Sequence, residues 1–132
     1  MLKYLAPYAA TAAAMIALDL VWLGLIAKPL YQQGIGHLMA QTPNIPVALL
    51  FYAVFALGLV VFAVVPPGSW GRAAASGALF GFFAYATYDL TNLATLRNWP
   101  LTLALLDMAW GTLVSGVSAA AGKFALDRLV QN

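Results

Sequence analysis

Long apolar runs broken by short polar stretches organise this chain. Four apolar runs stand out, at about residues 5–27, 45–65, 73–96 and 99–121. Each is near the roughly 20 residues a helix needs to cross the hydrocarbon core of a bilayer. The first ends at Lys28-Pro29 and gives way to a polar stretch from Tyr31 to Asn44, whose prolines and glycines argue against a further span. Pro66-Pro67-Gly68 stops the second run, and Arg72 and Arg97 bracket the third. Lys123, Asp127 and Arg128 mark the exit of the fourth, and residues 123–130 read as an amphipathic continuation.

Composition fits that pattern. Hydrophobic residues make up 64% of the 132 and charged residues 8%, against about 25% charged in a soluble domain. Mean hydropathy is +0.88. So few charges cannot cover a water-facing surface. The expected fold is an all-α membrane protein, a single domain over 1–132 with four transmembrane helices in one bundle. The basic residues form no patch, so nucleic acid is not an expected partner. There is no Cys, and a single His rules out a multi-histidine metal site. The Ala-rich start behind Lys3 has features of a signal peptide, but its apolar run continues past Asp19 and Trp22, so a retained span is expected. Lys3, Arg72, Lys123 and Arg128 fall on one side of the bundle, with Lys28 and Arg97 on the other. This bias places both termini in the cytoplasm.

Three aspartates interrupt the apolar runs: Asp19, Asp89 and Asp107. Each carboxylate near a helix centre costs roughly 2.5–3.5 kcal/mol on insertion scales. With the alternating topology, a rise of 1.5 Å per residue puts all three roughly 4–7 Å to the outer side of the midplane. Tyr52, on the uncharged second run, falls at a similar level. One polar layer is the economical expectation.

Helical spacing assigns neighbours to each acid. Tyr8, Met15, Asp19, Trp22 and Ile26 share a face of the first run. Tyr85, Asp89 and Asn92 share one on the third, with Tyr88 at its edge, and Leu103, Asp107, Trp110, Val114 and Ser118 line up on the fourth. Phenol, indole and amide groups can all donate to a carboxylate. Gly77 and Gly81 give a Gly-x-x-x-Gly step and Gly111 and Ser115 a similar one, both suited to close helix packing. His37 sits in the polar stretch, and Trp70 and Trp99 read as interfacial anchors. The candidate ligand-binding set is therefore Asp19, Asp89, Asp107, Tyr85, Tyr88, Asn92, Trp22, Trp110 and Tyr52. No catalytic or metal site is assigned, and no cofactor is specified.

Carboxylates gathered at one depth suit reversible binding of a proton or cation, so a transport-type role is the leading expectation. A small ligand is a further candidate occupant. Beside the lipid bilayer, a homo-oligomer is a natural partner, because four helices make a thin wall around a pathway. Two other readings stay open: a membrane enzyme acting on lipid, and an accessory protein binding a cofactor or a partner helix. The same hydrogen bonds would also serve simply to hold helices together. Leu18-Asp-Leu-Val-Trp22 echoes Leu106-Asp-Met-Ala-Trp110, but both motifs fall at one level, which is not the inverted symmetry of transporters.

Leu-Asp-x-x-Trp-Leu-Gly in the first run, residues 81–96 with their Tyr-Asp-Leu-Thr-Asn core, and Asp-Met-Ala-Trp-Gly at 107–111 resemble an uncharacterised bacterial family of small membrane proteins, domain of unknown function 2177. The resemblance spans nearly the whole chain. Asp19, Trp22, Tyr88, Asp89, Asn92, Asp107 and Trp110 fall on its pattern. It implies a multi-pass protein of the bacterial inner membrane and brings no activity with it.

Overall fold

The computed structural model describes residues 2–131. It contains five α-helices: α1 (Leu5–Val21), α2 (Lys28–Ile35), α3 (Ile45–Leu59), α4 (Trp70–Thr95) and α5 (Leu101–Gln131). A π-helical segment, Trp22–Ile26, extends α1, and a second, Val60–Val64, extends α3. Such widened turns recur at functional positions.

The expected bundle of four membrane spans is corrected. Three helical stretches are long and apolar enough to cross a bilayer: Leu2–Ile26, Ile45–Val64 and Leu101–Leu129. The run expected as a span at 73–96 forms the 26-residue helix α4, which is not among them. Its composition explains the difference. Arg72, Ser76, Thr87, Asp89, Thr91, Asn92 and Thr95 share the helix with three glycines, and these lower its apolarity without shortening it. The polar stretch after α1 is also not wholly irregular. Pro29 stands in the first turn of α2, where its missing N–H costs no hydrogen bond.

Helix ends are fixed by side chains. Asn44 Oδ1 accepts from the Val47 N–H at 3.2 Å to start α3, and Ser69 Oγ accepts from the Arg72 N–H at 3.1 Å to start α4. The Arg72 guanidinium turns back to donate to the carbonyls of Ala63 (2.8 Å) and Pro66 (2.6 Å). A cation thus closes the carbonyl end of the α3 segment, the favourable pole of the helix dipole.

α5 is the spine. α4 lies along most of it and α1 along much of the rest, while α3 leans mainly on α1. Asp19 meets Trp110 and Thr11 meets Gly122, so α1 and α5 run antiparallel, with the start of α1 beside the later part of α5. α4 approaches α5 on small residues. A Cβ added at Gly81 would overlap the Ser115 side chain and the Gly111 carbonyl, and one at Gly111 would overlap the Tyr85 ring. Close packing of this kind drives helix association where lipid removes the hydrophobic incentive. Met15, Leu59, Val64 and Val114 fill the core, and large apolar side chains such as Leu20, Leu50, Phe62 and Leu113 point outward, as a lipid-facing surface requires.

Gly81→Val should therefore force α4 off α5 and lower stability in detergent by about 1–3 kcal/mol or more. Gly24→Ala, at a position with nothing within 4 Å of the new methyl, should leave the melting temperature unchanged or slightly raised. Thermal melts followed by circular dichroism read both, and equal losses in the two variants would contradict the close-packing argument.

Candidate functional site

The three aspartates come from α1, α4 and α5, and all three are buried: Asp19 is 5% exposed, Asp89 1% and Asp107 9%. Their partners differ. Asp19 is held at both oxygens, by the Trp110 indole N–H at 2.7 Å and the Tyr52 hydroxyl at 2.8 Å. The Tyr31 hydroxyl donates to Asp107 Oδ1 at 2.5 Å. Asp89 has no hydrogen-bond partner at either oxygen, though it faces the Asp107 carboxyl and the Trp99 indole.

The expectation of an acid cluster binding a proton or cation for transport is overturned here. Among the described residues, no group of three His, Cys, Asp or Glu side chains could hold a metal ion. The physical reason is the aromatic lining. Trp110 and Tyr52 close on both oxygens of Asp19 and Tyr31 closes on one oxygen of Asp107, so these acids accept from separate donors and do not converge on one ion.

The acids do line one cavity of about 500 Å³. Trp22, Tyr52, Tyr85, Tyr88 and Trp110 line it as well, so eight of the nine candidate residues are placed around one space. Asn92 is not among the lining residues. Trp22 lies in the π-helical segment after α1, and its ring stacks on Trp110 with centroids 4.7 Å apart and planes 5° from parallel. That stack fixes the indole that in turn fixes Asp19. Phe55 packs edge-on to Tyr85 at 5.9 Å and forms part of the apolar wall.

Of the lining residues outside the sequence-derived set, two carry polar groups. Tyr31 stood in a stretch rich in glycine and proline, yet α2 returns its ring to the cavity; the proline at the first turn of a short helix was the available signal. Trp99, read as an interfacial anchor, is 9% exposed and lines the cavity with its Nε1 unpartnered. Its ring packs edge-on to Tyr88 at 5.9 Å. Trp70 by contrast is well exposed. His37 lies on an exposed turn after α2.

The cavity lacks Lys and Arg among its lining residues, so its charge preference is against anions. Its fully buried unpartnered polar atoms are the two oxygens of Asp89 and the indole N–H groups of Trp22 and Trp99. Acceptors and donors therefore wait on one apolar, aromatic wall. Burial and the neighbouring Asp107 carboxyl push the Tyr31 phenol above its ordinary 10.0, so it keeps its proton and remains a donor.

Tyr31→Phe should remove the donor to Asp107 and lower stability by about 1–3 kcal/mol, the cost of a stranded buried acceptor. The raised phenol also sets a pH sign. Its contribution to stability is complete below pH 10.0 and is withdrawn as pH rises through the higher folded value. Chemical unfolding at neutral and alkaline pH tests both, and a variant as stable as the parent would show that Asp107 does not need this bond.

Neither a curated protein nor a solved structure significantly matches the chain. A family model described as "Predicted membrane protein (DUF2177)" matches residues 4–124, which include the three buried aspartates and every residue lining the cavity. By that match over most of its length, the chain belongs to this family of multi-pass membrane proteins.

Proposed function

We propose that the protein is a membrane-embedded binding protein whose cavity receives a small amphipathic organic molecule. The candidate residues Asp19, Asp89, Asp107, Trp22, Tyr52, Tyr85, Tyr88 and Trp110 form the binding wall, joined by Tyr31 and Trp99. One observation carries this reading: Asp89 is 1% exposed, lines the cavity, and has both carboxyl oxygens unpartnered. An unsatisfied buried polar group costs about 1–3 kcal/mol, more when charged. A ligand that donates to it would recover that cost, and the volume of about 500 Å³ lies in the range of small-molecule sites. Asp19 is instead held by the protein at both oxygens and Asp107 at one, and both shape the wall. Helical spans, rather than a β-barrel, favour the bacterial inner membrane as its location.

The reading separates stability from binding at one position. Asp89→Leu should stabilise the ligand-free protein by about 1–3 kcal/mol, because it removes the stranded carboxyl. It should also abolish retention of a bound molecule. Asp19→Leu should destabilise instead, since it strands the donors of Tyr52 and Trp110. Native mass spectrometry of gently purified parent protein should show one discrete added mass that is lost in Asp89→Leu. If no such mass appears, or if it survives in Asp89→Leu, the reading fails.

A further inference from the structure

The cavity has a side on which the protein does not close it. α5 contacts α4 and α1 extensively, but α3 and α4 scarcely meet along their backbones. They are joined low down, where the Val60–Val64 segment reaches α4 and where Phe55 touches Phe80 and Tyr85. Towards the start of α3 and the end of α4 the lining residues are Ala48, Phe51 and Tyr88. Phe51 remains 43% exposed and Tyr88 54%, although both line the cavity. On the α2 side, Tyr31 and the nearly buried Trp99 stand over the acids instead.

α3 belongs to a stretch long and apolar enough to cross a bilayer, and we take the gap beside it to open on hydrocarbon rather than water. Its rim is a small residue and two aromatic rings. The polar atoms are inside. The fully buried ones without partners are of both kinds, two carboxyl oxygens and two indole N–H groups, and no basic residue lines the cavity to meet a phosphate or carboxylate. A cavity of about 500 Å³ holds a head and the first part of a chain, not a whole two-chain lipid. The rest of the chain must leave through the gap.

Resting on the binding-protein reading above, we infer that the ligand is an uncharged membrane lipid with a hydroxyl head, which enters sideways from the bilayer between α3 and α4. Its hydroxyl hydrogen points to Asp89, its oxygen accepts from an indole N–H of Trp99 or Trp22, and its chain passes Phe51 and Tyr88. Hydroxyl groups both donate and accept, which matches the mixed set of waiting atoms. Headgroups bearing phosphate meet a wall with no cation and are excluded by desolvation.

Three of the four tryptophans, Trp22, Trp99 and Trp110, line the cavity, so their fluorescence reports its contents. The test uses Trp70→Phe protein, which removes the exposed fourth, in phosphatidylcholine nanodiscs. A diacylglycerol with bromine on its chains near the head should quench this fluorescence saturably at a few per cent of the lipid, by the rough mass-action expectation for a specific site. Brominated phosphatidylglycerol at the same level should give only weak, linear quenching. Ala48→Phe, which narrows the gap, should weaken the saturable phase about tenfold, and Asp89→Leu should remove it. Equal saturable quenching by phosphatidylglycerol overturns the uncharged head. An affinity unchanged by Ala48→Phe overturns the lateral route. If no brominated lipid quenches saturably while native mass spectrometry still finds a bound water-soluble molecule, the lipid inference falls and the binding-protein reading stands. If neither is seen, both fall.

Discussion

The two-sided hold on the Asp19 carboxylate is the interaction on which the rest depends. Tyr52 reaches it from α3 and Trp110 from α5, so one side chain of α1 ties three helices at a single level. In hydrocarbon a carboxylate without donors is costly, and helices that can supply donors are drawn to it. The tie also sets geometry. Trp110 must present its indole edge to Asp19, which leaves its face free, and Trp22 covers that face in a near-parallel stack. One end of the aromatic wall thus follows from where one acid had to be satisfied.

A second constraint works on the opposite side. α4 comes close to α5 through Gly81 and Gly111, and the Tyr85 ring lies over the glycine where any side chain would collide. Drawing α4 onto α5 while α3 is held by Asp19 and α1 leaves the upper parts of α3 and α4 apart. Phe55, Phe80 and Tyr85 bridge the lower part of that divergence with edge-on ring contacts. The cavity is the space left when two separate packing demands are met together.

Much of this was legible in the sequence. Counting residues from helix ends placed Asp19, Asp89, Asp107 and Tyr52 at one level, and helical spacing put Trp22 and Trp110 beside two of the acids. All six line the cavity. What the count could not give was pairing, because a periodicity fixes a residue's face and height but not which donor reaches it first. Asp19 took Trp110 from another helix, whereas spacing alone suggested that Trp110 serves Asp107 on its own. Tyr31 was hidden because glycines and prolines mask a two-turn helix, and Trp99 because a tryptophan next to Pro100 at a helix start looks like an anchor whichever way it turns. The status of α4 was misread for a related reason. Length and boundaries matched a span, but the small and polar residues that let it lie against α5 are the ones that deprive it of a span's apolarity.

The three acids also separate by what their surroundings leave unfinished. Saturated acids such as Asp19 behave as structural joints, since their lone pairs point at fixed donors and their removal strands those donors. Asp89 is the opposite case, a buried carboxyl at the cavity wall with neither oxygen hydrogen-bonded. Indole N–H groups at Trp22 and Trp99 stand unpartnered in the same space, and could have satisfied an acceptor had the helices been rotated to join them. A fold selected for stability alone would replace such groups with apolar side chains of similar volume. Leaving donors and acceptors unjoined at one cavity wall fits the proposed binding role, because stability forgone in the empty protein is returned as affinity when a third molecule completes both.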